Sequence, residues 1–116
     1  MKEHIIRSFV DKFNLKFSQL SPTDVDYKIL DKSGKIIAYA QVEHQEDLSK
    51  PFVIKAERMV RLFNKRLNGV VLFGNQSEVY YCKIDRLTGV VSPAKHNSIF
   101  DEFVISYENK DDFVII

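Results

Sequence analysis

The stretch IIAYAQVEHQ, residues 36–45, decides the fold and carries the most informative polar side chains of the chain. In a β-strand, its side chains would alternate between two faces. The two faces would be Ile36, Ala38, Ala40, Val42 and His44 on one side, and Ile37, Tyr39, Gln41, Glu43 and Gln45 on the other. Because both faces begin with apolar residues, the pattern predicts a central strand that is covered on both sides. The second face ends in an amide, a carboxylate and an amide, which need water, polar partners or a metal.

The segments before this strand predict a helix followed by a β-hairpin. Apolar residues at helical spacing indicate a helix over residues 3–16. The stretch DVDYKILD, residues 24–31, has the alternation of a strand, and KSGK, residues 32–35, contains the glycine of a tight turn. Residues 36–45 then form the returning strand of the hairpin.

The segments after the strand predict a long helix and further strands. Residues 46–69 are predicted as one helix, capped by Asp47 or Ser49 and ended by Gly69. Its predicted apolar stripe is Phe52, Ala56, Met59, Val60, Phe63 and Leu67. GVVLFG (69–74) and EVYYCKID (78–85) are predicted strands, and residues 97–116 are expected to hold one or two short strands and a helical turn. A helix that crosses between two strands of one sheet is typical of an α/β domain, here over residues 1–116.

Composition excludes several classes of protein. With 116 residues, 45% of them hydrophobic, and a net charge of +1, the chain fits one ordinary globular domain without a strongly basic character. Cys82 is the only cysteine, which excludes a disulfide framework and predicts a cytoplasmic protein. No stretch approaches the roughly 20 apolar residues of a membrane span, so no membrane is expected as a partner. Phosphate-binding glycine motifs are also absent, and no nucleotide cofactor is expected.

Asp26 on one strand of the hairpin would face the polar residues on the other strand. These residues are Gln41, Glu43 and Gln45. Oxygen ligands of this kind suit a hard cation such as Mg²⁺, which keeps several waters and needs only one or two carboxylates. From spacing alone, the alternative is a half-exposed strand end in water.

An Asp on a hairpin, a strand with a polar motif and a following helix resemble the core of the PD-(D/E)XK nuclease superfamily. Asp26 in DVDYKI would match the metal-binding aspartate, and AYAQVEH (38–44) would match the strand that carries the (D/E)-x-K motif. The gap of 15 residues between Asp26 and Gln41 is common in that family. The resemblance extends over residues 1–85, and residues 108–116 would supply a closing strand.

The resemblance implies a restriction endonuclease-like, three-layer α/β/α core with a central mixed sheet. It also implies a small stand-alone, resolvase-like or restriction endonuclease-like protein of the kind found in phages and mobile elements. Such a protein would hydrolyse DNA phosphodiester bonds with Mg²⁺ or Mn²⁺. Because a chain this short offers little surface for a duplex, a homodimer is expected.

The motif departs from the family pattern at two positions. Gln41 stands at the acidic position and Glu43 at the lysine position. Glu43 could be the second carboxylate with Gln45 in the lysine position, or Gln41 could coordinate through its carbonyl oxygen while Glu43 completes the site. A third alternative is a decayed, inactive module that binds DNA or a protein partner. Without a metal ion, Asp26 and Glu43 would repel each other, and one pKa should rise.

Cations on the predicted long helix are candidates for phosphate contacts. These residues are Lys55, Arg58, Arg61 and Lys65. Phosphate contacts of this kind are independent of sequence and sensitive to salt. The alternative is an ordinary solvated helix face. Glu3 or Asp11 of the first helix could add a further carboxylate to the site, although such residues are more often solvated.

Overall fold

The computed structural model of the chain describes residues 2–65, 68–84, 90–93, 103–107 and 110–116. The described residues form two helices and nine strands, which makes the fold mixed α/β. The elements are α1 (Lys2–Phe13), β1 (Lys16–Gln19), β2 (Tyr27–Leu30), β3 (Ile36–His44), β4 (Phe52–Lys55), α2 (Ala56–Phe63), β5 (Asn68–Gly74), β6 (Val79–Lys83), β7 (Val90–Pro93), β8 (Phe103–Tyr107) and β9 (Val114–Ile115).

A mixed sheet with the strand order β1-β2-β3-β5-β6-β9 forms the centre of the fold. The strands β3 and β5 are parallel, whereas the other neighbouring pairs are antiparallel. A parallel pair needs a crossover connection, which β4 and α2 provide. The predicted hairpin is confirmed: β2 pairs with β3, and Gly34 in the turn has a φ of +90°, a conformation that favours glycine.

The two faces of the central sheet are covered by different layers. On one face, α1 buries Ile5, Ile6 and Phe9 against strand residues that include Ala40 and Val42. On the other face, α2 and β4 contribute to a second core. The strand β4 belongs to a separate three-stranded sheet of order β4-β8-β7. The second layer is therefore mixed rather than purely helical, unlike the α/β/α arrangement expected from the sequence.

The prediction of one long helix over residues 46–69 is wrong, because the structure has a strand before the helix and the helix ends earlier than predicted. Residues Phe52–Lys55 form β4, with Phe52 and Ile54 buried and Val53 and Lys55 exposed, so the buried side chains follow a strand period. The helix α2 begins only at Ala56 and ends at Phe63. Neither predicted cap is used, since the Asp47 carboxylate instead accepts hydrogen bonds from the backbone and hydroxyl of Ser49.

Two further expectations for this helix are corrected. Met59 and Leu62 form its buried face, whereas Val60 and Phe63 of the predicted stripe are 55% and 56% exposed. Leu67 of that stripe lies outside the described residues. Gly69 lies in β5 rather than at a helix end. An added Cβ at Gly69 would lie 2.8 Å from Ile84 Cδ1, so close packing explains this glycine.

The N-terminal segment adds the strand β1, which the sequence pattern did not indicate, whereas strands were expected near the C-terminal end. The first helix ends at Phe13, because Asn14 takes a left-handed φ of 59° before β1 begins. At the other end, β9 pairs with β6 and closes the central sheet, as expected for residues 108–116. One or two short strands and a helical turn were predicted in residues 97–116. Residues 97–102 and 108–109 lie outside the described residues, and the remaining ones contain the strands β8 and β9.

Tyr107 on β8 gives the fold a predicted sensitivity to alkaline pH. Its side chain is 3% exposed, and burial raises its pKa to about 12. The folded chain therefore holds the phenol proton more tightly than the unfolded chain, in which tyrosine has its ordinary pKa of 10.0. The corresponding stability is complete below about pH 10 and is lost as the pH rises toward about 12, at about 1.4 kcal/mol per pH unit.

We expect Tyr107→Phe to remove this part of the alkaline loss, because phenylalanine has no proton to lose. Urea unfolding of both proteins at about pH 9 and about pH 11 measures the difference. Equal losses of unfolding free energy in the two proteins would contradict the expectation.

Candidate functional site

The hairpin register brings Asp26 beside Gln41 and Glu43. Tyr27 pairs with Ala40, so the residue before β2 lies next to the polar end of β3. The Asp26 carboxylate accepts a hydrogen bond from the backbone N–H of Val42 at 3.0 Å. This bond fixes the carboxylate between the two strands. Three polar residues chosen from the sequence thus lie in one place in the structure.

Arg58 of α2 lies at the centre of these residues. Its Nη2 donates to Asp26 Oδ2 at 2.7 Å, and its Nε lies 3.0 Å from Glu43 Oε1. The side chains of Arg58, Asp26 and Glu43 are 22%, 20% and 20% exposed. The helix α2 therefore reaches across β3 and inserts one guanidinium between two carboxylates. We refer to Asp26, Gln41, Glu43 and Arg58 as the acid–arginine cluster.

Gln41 completes the set of oxygen atoms around the guanidinium. Its side chain is almost fully buried, at 1% exposed. With the amide oxygen turned toward Arg58, Gln41 accepts hydrogen bonds from Nη2 at 2.6 Å and Nε at 2.5 Å. The opposite orientation would point the amide nitrogen at two donors, because a guanidinium has no acceptor. Gln41 therefore contributes its oxygen to the cluster.

Glu43 is an acid of the cluster with a raised pKa. Burial raises the pKa of its carboxyl above the usual value, and the neighbouring Asp26 adds to the increase, while Arg58 and Lys2 lower it. The pKa of Glu43 is therefore raised, as expected for one of the two acids, but burial contributes more to the increase than repulsion by Asp26 does. Oε1 of Glu43 is buried without a hydrogen bond, since the Arg58 N–H near it is poorly aligned. Glu43 is thus ion-paired but not fully satisfied.

Lys2 is a member of the site that the sequence did not indicate. Its Nζ lies 3.4 Å from Asp26 Oδ2, and its side chain is 38% exposed. Two cations, Lys2 and Arg58, therefore balance the two carboxylates of Asp26 and Glu43. No local pattern could have identified Lys2, because its position depends on how α1 packs over the central sheet.

Other candidate residues lie outside the acid–arginine cluster. The Gln45 amide donates to the backbone oxygens of Asp47 at 2.8 Å and Pro51 at 3.3 Å, which makes it an organiser of the loop after β3. Glu3 pairs with Arg7 on the same helix at 2.7 Å. Asp11 is exposed on α1. The structure therefore does not bring these residues to the cluster.

The four cations proposed for phosphate contacts do not share one helix face. Lys55 is the exposed last residue of β4. Arg61 pairs with Glu57 at 2.5 Å. Lys65 lies 2.7 Å from Asp24, an interaction that lowers the pKa of that carboxyl. Arg58 belongs to the cluster, so the basic surface is smaller and more neutralised than the sequence suggested.

The cluster has the donor chemistry of a site for a hard cation. It offers two carboxylates and one amide oxygen, and Mg²⁺ needs only one or two carboxylates when it retains water. Within the part of the chain that the structure describes, no group of three or more His, Cys, Asp or Glu side chains could hold a metal ion. Asp26 and Glu43 are only two such side chains, so a divalent ion at this position would need water for its other ligands, and Arg58 would have to leave the centre.

No protein-family model, curated protein or solved structure matches the chain. Among the described residues, no helix has the length and apolar character needed to cross a membrane.

Proposed function

We propose that the chain is a metal-dependent DNA endonuclease-like protein that hydrolyses phosphodiester bonds at the acid–arginine cluster. The observation that supports this proposal is the convergence of oxygen atoms from Asp26, Gln41 and Glu43 around one position. These residues coincide with the motif through which the sequence resembles the PD-(D/E)XK nucleases. Mg²⁺ or Mn²⁺ is the proposed cofactor.

Each side chain has a distinct role in this proposal. Asp26, held by the Val42 N–H, and Glu43 would be the charged ligands, while Gln41 would add its amide oxygen. A bound divalent ion lowers the pKa of water and neutralises charge on a phosphate oxygen. Arg58 and Lys2 stand next to these ligands and can stabilise the negative charge that develops on the phosphate. The lysine missing from the motif would thus be replaced by cations from α1 and α2.

The remaining parts of the proposal concern DNA and assembly. Arg61 and Lys65 would exchange their acidic partners for phosphates, because ion pairs near the surface are weak, and the exposed Lys55 would contact a phosphate as well. A homodimer would extend the surface available to a duplex. Val60 and Phe63, exposed on α2, support such an assembly. Sedimentation equilibrium tests for the homodimer, and the mass of a single chain at micromolar concentration would contradict it.

A second candidate function is an inactive nuclease-like module that binds DNA or a protein partner. The observation that favours it is the position of Arg58, which neutralises the acids where a metal ion would otherwise do so. In this case the cluster would anchor α2 to the central sheet and would do no chemistry.

Cleavage of linear, branched and single-stranded DNA with Mg²⁺ or Mn²⁺ tests the first candidate. We expect Asp26→Asn to reduce metal-dependent cleavage at least about hundredfold, because it removes one of two charged ligands. The asparagine oxygen can still accept from the Val42 N–H, so the change in packing is small. Asp112→Asn, a change at an exposed position distant in sequence, is the control and should cleave like the wild type.

Two results would decide against the nuclease proposal. Cleavage that survives in Asp26→Asn would show that the activity comes from elsewhere. Wild-type protein that neither cuts any of these substrates nor binds Mn²⁺ would favour the inactive module.

A further inference from the structure

Arg58 occupies the position that a cation ligand set would surround. Its guanidinium contacts oxygens of Asp26 at 2.7 Å, Glu43 at 3.0 Å and Gln41 at 2.5 Å. A guanidinium stays charged at all ordinary pH values and presents several donors in a fixed plane, so it can satisfy several oxygens together. Arg58 therefore uses the same oxygen atoms that a divalent ion would need.

The charges of the cluster make simultaneous occupancy unfavourable. With Arg58 and Lys2 in place, the two carboxylates are already neutralised. A divalent ion added among them would lie within a few ångströms of a guanidinium that carries charge of the same sign. Because the side chains are only about a fifth exposed, water screens this repulsion less than at the surface.

We infer that Arg58 is an internal competitor of the metal ion, so that metal binding and release of the Arg58 guanidinium from Asp26, Gln41 and Glu43 are one exchange equilibrium. This inference rests on the proposed metal-dependent function and adds a form of regulation to the same site. The released guanidinium, still tethered to α2 beside the acids, is then free to contact a phosphate. A DNA phosphate would therefore favour metal binding by giving Arg58 another anionic partner.

The arrangement around Arg58 is suited to such an exchange. Its bond to Glu43 is incomplete, because Oε1 has no aligned hydrogen bond. Its side chain is 22% exposed, so part of Arg58 is already in contact with solvent. The helix α2 is separately held by Met59 and Leu62, which are buried in the second core. Release of Arg58 therefore need not detach the helix.

Isothermal titration with Mn²⁺ tests the exchange by comparing the wild type with Arg58→Gln. Removal of the competing cation leaves two carboxylates beside Lys2 alone, so we expect Mn²⁺ to bind at least about tenfold more tightly, a change of about 1.4 kcal/mol. Arg7→Gln is the matched control, because Arg7 also bonds a glutamate, Glu3, but outside the cluster. Its Mn²⁺ affinity should equal that of the wild type.

A second measurement covers the case in which Arg58→Gln does not fold. In wild-type protein, titration with diamagnetic Mg²⁺ should shift the side-chain Nε–H resonance of Arg58 in nitrogen-15 NMR spectra, while that of Arg7 stays unchanged. Arg58→Lys keeps a cation but loses the planar fork, and should give an intermediate tightening of Mn²⁺ binding.

The possible outcomes separate this inference from the function on which it rests. Tighter Mn²⁺ binding by Arg58→Gln that is abolished by adding Asp26→Asn would support the exchange. Equal Mn²⁺ affinities, with an unmoved Arg58 resonance, would overturn the exchange but leave the metal site intact. Failure of every variant to bind Mn²⁺ would overturn both the inference and the metal-dependent function.

Discussion

Phe52→Ala is expected to lower the free energy of unfolding by about 3–5 kcal/mol, a large share of the stability of a small domain. The side chain of Phe52 is fully buried and stacks on Phe73 of β5, with ring centroids 4.7 Å apart. The ring of Phe113 meets it edge-on at 5.1 Å, and the Lys110 ammonium lies 4.2 Å from its centroid. Truncation would remove the stacking of Phe52 on Phe73 of the central sheet and leave a cavity.

Urea unfolding followed by circular dichroism measures this loss, with Val53→Ala as the control. Val53 is the next residue of β4 but is 43% exposed, so its truncation should cost less than about 1 kcal/mol. Similar losses for the two variants would contradict the alternation of buried and exposed residues in β4. They would instead favour a segment whose neighbouring side chains do not alternate between a buried and an exposed face, as in a helix.

The position of Phe52 explains why the sequence pattern of residues 46–69 predicts a single helix where the structure has β4 and α2. Phe52, Ala56 and Met59 are spaced as on one helical face, so the local pattern fitted a helix. What makes residues 52–55 a strand is their pairing with β8, in which Phe52 lies opposite Tyr107. A partner so distant in sequence leaves no local signal, and tertiary context overrode the helical spacing.

The hairpin and the crossover were predictable because they depend on local features. Alternating residues and a turn glycine specify β2 and β3, and their register follows from the short connection. The apolar run in β5 indicated a buried strand, and its parallel pairing with β3 follows from the intervening crossover. Strands β1 and β7, each four residues long, lacked a comparable pattern.

The same distinction applies to the acid–arginine cluster. Asp26 and Gln41 lie 15 residues apart on one hairpin, so their proximity could be predicted from the sequence. Lys2 belongs to α1 and Arg58 belongs to α2, so their positions beside the acids depend on how these helices pack. Sequence reasoning therefore identified the acids and assigned Arg58 to the surface, where a charged helix residue usually lies.

Asp26→Ala is expected to lower the free energy of unfolding by about 2–4 kcal/mol, less than a fully buried ion pair because the carboxylate is partly exposed. The variant would leave Arg58 with fewer acceptors and the Val42 N–H without its partner. Combining it with Arg58→Met, which fills similar space without charge, should cost less than the sum of the two single changes.

Chemical denaturation of the four proteins gives the coupling energy directly, and we expect about 1–3 kcal/mol. The exposed pair Glu57–Arg61 on α2 is the comparison, with an expected coupling of about 0.5 kcal/mol or less. A coupling in the cluster as small as in this surface pair would contradict an anchoring role for Arg58. The expected coupling is the part of the stability that a metal ion must replace when it displaces Arg58 from Asp26.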